Sequence, residues 1–143
     1  MALPSVAGQR VTDGTVYRFI PNLEVYWEYD RDRPSPRAFR SRPGEADGVS
    51  MYIDGHTTVE RLERLRPPFG IYAIDVARLL EDKRLSVTYD PDEMAPEGRA
   101  HVIVSGVNRR VAERIARELA VRVKAPEPPP LATPPAPLPP PAA

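Results

Sequence analysis

His56 and His101 are the only two histidines in the chain, so any imidazole-dependent chemistry has to pass through one of them. His56 stands between Asp54 and Thr57, where the hydrogen bonding of a turn and a helix cap accounts for it. His101 lies in the run RAHVIVSG, and strand parity sets it on one face with Ile103, opposite Ala100, Val102 and Val104. An acidic stretch containing Asp90, Asp92 and Glu93 precedes it. A carboxylate from that stretch held against the ring would fix its tautomer and raise its basicity, which is what a general acid or base needs. His101 is therefore the candidate catalytic residue. Ser50, Ser86 and Ser105 supply hydroxyls in or at the ends of expected strands, but none stands in a GxSxG context and no base is apparent beside them in sequence.

Metal chemistry has the donor types but not the spacing. Asp54, His56, Asp90, Asp92 and His101 are hard oxygen and imidazole ligands, yet the chain holds no HExxH, HxH or calcium-loop pattern, so no metal and no cofactor is expected. The absence of cysteine excludes a thiolate nucleophile, a disulfide framework, a zinc ribbon and an iron–sulfur cluster.

Anion recognition is better provided for. Asn108 is an N-cap for a closing helix whose first turn carries Arg109 and Arg110, against the sense of the helix dipole. With Arg18 they form a candidate grip on a phosphate or carboxylate. A second cluster, Arg31, Arg33, Arg37, Arg40 and Arg42, surrounds Phe39 in a proline-rich stretch close to Tyr26 and Trp27. Cations interleaved with rings suit a protein contact or single-stranded nucleic acid. No GxGxxG or GxxxxGK[ST] motif supports nucleotide binding through a phosphate loop.

These side chains have to be positioned by a modest set of elements. TVYRFI reads as a strand, Pro21-Asn22 as a turn, and LEVYWEY as a second strand alternating Leu23, Val25 and Trp27 against Glu24, Tyr26 and Glu28. Residues 30 to 48 form a long loop with Phe39 as its one large apolar anchor. VSMYI is a core strand ended by Asp54-Gly55, and Thr57-Thr58-Val59-Glu60 fits a capping box opening a helix with Leu62 and Leu65. A helix is expected over 71 to 82, strands over 85 to 90 and 99 to 106, and a last helix with Val111, Ala112, Ile115, Ala116 and Leu119 in one stripe and Arg122 and Lys124 on its basic face.

The expected fold is α+β: a mostly antiparallel sheet of about five strands with two to three helices packed on one side. Residues 1–14 read as a flexible arm and 15–124 as a single domain. Ten of the nineteen prolines fall in 125–143, a segment too poor in large apolar side chains to offset its ordering entropy, so a disordered, polyproline-biased tail is expected there.

Twenty basic and twenty acidic residues cancel, which removes any global electrostatic reason to bind nucleic acid or an anionic membrane. Eighteen of the basic residues are arginine, a bias that GC-rich bacterial coding also produces. The first residues lack the pattern of a signal peptide and no stretch reaches membrane-spanning length, so a cytoplasmic protein is expected. The reading that follows is an interaction or adaptor module that meets a protein partner through the arginine loop and the proline tail. Its alternatives are a transferase or hydrolase acting on a phosphorylated substrate through His101 and Arg109/Arg110, and a nucleic-acid-binding protein.

Overall fold

The computed structural model describes residues 3–28, 33–42, 45, 48–65 and 69–124; Arg31 and the tail 125–143 lie outside them. Six strands form one antiparallel sheet: β1 (Thr15–Pro21), β2 (Val49–Ile53), β3 (Phe69–Asp75), β4 (Ser86–Tyr89), β5 (His101–Ser105) and β6 (Val121–Lys124), in the order β4-β5-β2-β1-β3-β6. The helices are short: α1 (Val59–Glu63), α2 (Val76–Leu79) and α3 (Arg109–Arg114), the last extended by a π-helical turn over Ile115–Leu119. The α+β, mostly antiparallel expectation is met. No helix among the described residues is long and apolar enough to cross a membrane.

Alternation along the strands builds two apolar layers. Val16 and Ile20 of β1, Met51 of β2, Ile74 of β3 and Val102 and Val104 of β5 face one way, where Val111, Ala112, Ile115 and Leu119 close over them. Tyr17, Phe19 and Ile71 face the other way and meet Leu62 of α1. The helices therefore divide between the faces, with α1 opposite the larger helical layer. Thr58 is the N-cap of α1, accepting from the Arg61 amide, while Thr57 donates its hydroxyl to Glu97 Oε1.

Four local expectations are corrected. LEVYWE is not a strand: β3 takes one edge of β1 along its whole length, and on the other edge, where β2 parts from β1, Arg18 binds the loop carbonyls of Ala38 and Arg40. It forms a 3-10 turn over Glu24–Tyr26 and buries Trp27, whose Nε1 donates to the Pro21 carbonyl. Residues 71–75 are strand rather than helix: β3 lies between two layers, so both parities are apolar and the run mimics a helical stripe. VRVK at 121–124 adds a strand to β3, which moves Arg122 and Lys124 off the last helix. Finally, the segment before β1 makes hydrogen bonds along β4, from the Gly8 amide to the Tyr89 carbonyl and from the Val11 amide to the Val87 carbonyl, and Val11 is buried.

Candidate anion-binding cleft and the His101 array

β1 and β2 pair only at Val16 with Ile53 and Tyr17 with Tyr52. Beyond that point the strands part, and Arg18 fills the opening. Its Nε donates to the Ala38 carbonyl, Nη1 to Glu45 Oε2 and the Ser50 carbonyl, and Nη2 to the Arg40 carbonyl and Glu45 Oε1. All five donors of the guanidinium are thus used, and the side chain is 2% exposed. Arg18 is a structural staple and not the free anion ligand its sequence position suggested.

The staple shapes the arginine loop. Its bonds to Ala38 and Arg40 hold the 3-10 turn Pro36–Phe39 against the sheet, and Phe39 is fully buried in the larger core layer. Phe39 therefore anchors the loop from inside and is not itself a contact residue, a second correction. Glu45 accepts from the amides of Arg42 and Ser50 as well as from Arg18. Burial pushes its carboxyl up, but the hydrogen bonds and charge of Arg18, together with those amides, hold it below its ordinary value.

With the loop so fixed, Arg37, Arg40 and Arg42 converge on one cavity of about 460 Å³, completed by Val25, Tyr26, Ser41 and Val107. No carboxylate lines it among the described residues, and neither Arg37 nor Arg40 belongs to an ion pair there. Arg42 lies 5.3 Å above the Tyr26 ring and donates through Nη2 to the Phe19 carbonyl. Burial, then the neighbouring Arg18 charge, pushes the Arg42 guanidinium down to about 10. Arg33 is exposed and lies outside this lining.

Val107 brings the turn before α3 to the same wall, so Arg109 follows two residues beyond it. Asn108 caps α3 by accepting from the Val111 amide. Arg109 is 85% exposed in a loose contact with Glu113 at 3.8 Å, and Arg110 is exposed. The two arginine clusters thus adjoin.

His101 is elsewhere. Its strand parity points it away from α3, so the sheet stands between it and Arg109 and Arg110, and those residues do not converge with it. The acidic partner anticipated for it is present: Nδ1 lies 2.8 Å from the Asp90 carbonyl and 3.2 Å from Asp90 Oδ2. Nε2 lies 2.9 Å from Ser50 Oγ. Sequence reasoning missed Ser50 here, because that contact depends on the β2–β5 register. His56 instead binds the Pro4 carbonyl at 2.6 Å and stacks on Tyr89, fastening the N-terminal segment. Among the described residues, no group of three or more His, Asp and Glu side chains is placed to hold a metal ion.

No family model, no curated protein and no solved structure matches this chain. Its functional reading therefore rests on the geometry alone.

Proposed function

We propose that this chain is a cytoplasmic interaction module whose arginine cleft receives an acidic segment of a partner protein. The observation that supports it is the convergence of Arg37, Arg40 and Arg42 on one cavity that no carboxylate lines among the described residues. Guanidinium groups in a concave site favour carboxylates through charge and paired hydrogen bonds, and such complementarity raises the rate of encounter. The neighbouring exposed aliphatic residues, Leu23 at 57% and Val25 at 45%, favour a segment that carries apolar side chains beside its acids. A nucleic acid is disfavoured by the same geometry, because Arg42 occupies a face of the Tyr26 ring that a base would use for stacking. In this reading the proline-rich segment after Lys124 is a second contact region.

The test is fluorescence anisotropy with a labelled hexapeptide of glutamates and leucines, alongside a labelled dodecathymidylate. We expect saturable peptide binding that weakens with salt and falls at least tenfold in the R37E/R40E variant. Peptide affinity unchanged by that double charge reversal, or binding of the oligonucleotide alone, would overturn the reading.

A further inference from the structure

Asp90, His101 and Ser50 form a continuous array on the sheet face opposite α3, on the other side from the arginine cleft. Both Asp90 oxygens that meet the ring are acceptors, so Nδ1 carries the proton of the neutral imidazole. Nε2 is then the acceptor, and the hydrogen bond at 2.9 Å is donated by the Ser50 hydroxyl. This is the arrangement in which a base stands ready to take the proton of an attacking oxygen, with a third group orienting the base. His101 is 18% exposed and Ser50 half-buried, so both are open to a small molecule.

A small recess lies beside the array, joined to it through Tyr52. Tyr52, two residues along β2 from Ser50, packs edge-on against His101 at 6.0 Å and also lines a cavity of about 90 Å³ with Phe19, Leu65, Ala95 and Pro96. A short acyl chain fits a recess of that size, whereas a long one does not.

From the array and the recess together we infer that Ser50 is a nucleophile, activated by His101, that accepts the acyl group of small activated esters. As Oγ bonds to the acyl carbon, its proton passes to Nε2; the carbon–oxygen bond to the alcohol breaks, and the leaving oxygen takes that proton. Water attacking the acyl–Ser50 ester by the same proton path returns free acid and free serine. The Ser50 amide already donates to Glu45 Oε2 at 2.9 Å and is not available to the developing oxyanion. Loss of one such donor slows acyl transfer by roughly 10²–10³. Acylation is therefore expected as a slow, stoichiometric event and not as rapid turnover.

Intact-mass spectrometry of the full chain after exposure to diisopropyl fluorophosphate, and separately to p-nitrophenyl butyrate, tests this. Phosphorylation forms the Oγ–P bond, breaks P–F and releases fluoride. One adduct is expected, mapped to Ser50, absent in Ser50→Ala and slowed about 100-fold in His101→Gln. Asp90→Asn should slow labelling as well, because the carboxylate contact that orients the ring is lost. p-Nitrophenyl palmitate should give no adduct. An unlabelled wild-type chain, an adduct on another residue, or a His101→Gln chain that labels at the wild-type rate would overturn the inference. The R37E/R40E variant should label as the wild type does, which separates this site from the cleft.

Discussion

Arg18 Nη1 lies 2.7 Å from Glu45 Oε2 where β1 and β2 part, and between them the two side chains satisfy both the amide and the carbonyl of Ser50. Those backbone groups would otherwise be left without a strand partner inside the fold. A buried ion pair does here what a ladder of hydrogen bonds does elsewhere in the sheet, and it also ties the arginine loop to β1 through Ala38 and Arg40.

Removing one member of that pair should be severe. Arg18→Met leaves Glu45 without its counter-ion and the carbonyls of Ala38, Arg40 and Ser50 without their donor. Breaking a buried pair in this way costs about 3–5 kcal/mol. Urea denaturation followed by the fluorescence of Trp27, the single tryptophan, should show the loss as a lower midpoint. The R18M/E45M double variant should recover part of it, because no uncompensated charge remains buried.

Acid should act through the same carboxylate. Glu45 titrates below its ordinary 4.5 in the folded chain, so its contribution is fully present above that value and is lost as pH falls through the lower, folded one. Glu97, held down by the Thr57 hydroxyl and by Arg61, adds to the same window. Urea midpoints measured from pH 6 downward should fall below about pH 4.5, and the Glu45→Gln variant should show a shallower fall.

The strands whose parity is simple were legible in the sequence. VSMYI, SVTY and HVIVS each present one apolar face, and Asn108 marks the start of α3 by its side chain alone. Errors arose where a neighbour decides. Ile71 and Ile74 sit at helical spacing only because β3 is covered on both faces, and Leu23, Val25 and Trp27 alternate as a strand would, although Arg18 ties the edge of β1 left by β2 to the arginine loop instead. The arginine cleft was half legible. Arg37, Arg40 and Arg42 were visible as a cluster, but that Arg18 is consumed inside the fold, that Phe39 is buried beneath the loop and that Val107 completes the wall are long-range facts. The Ser50–His101 contact depends on strand register, which local composition does not encode.

Phe39 offers a way to separate anchoring from contact. It is fully buried under the loop that carries Arg37 and Arg40. Phe39→Ala should lower stability by about 3–5 kcal/mol through lost burial and the cavity left behind, and should weaken peptide binding by loosening the loop. Phe39→Leu should restore most of both. A stable Phe39→Ala variant with normal loop behaviour in hydrogen exchange would contradict the anchoring role.

Arg42 should behave in the opposite way to Arg18. Its guanidinium is pushed down to about 10 by burial and then by the Arg18 charge, so the fold disfavours its charged form. Its Nε has no hydrogen-bond partner among the described residues. Against this stand the bond to the Phe19 carbonyl and the contact with Tyr26. Arg42→Met keeps an apolar side chain at that position while relieving the desolvated charge, so stability should be unchanged within about 1 kcal/mol or should rise. Peptide binding should nevertheless fall about tenfold, since a cation facing the cavity has gone. That separation distinguishes a side chain kept for recognition from one kept for the fold. If Arg42→Met instead unfolded at a much lower urea concentration and bound normally, Arg42 would be a second staple, and the cleft would depend on Arg37 and Arg40 alone.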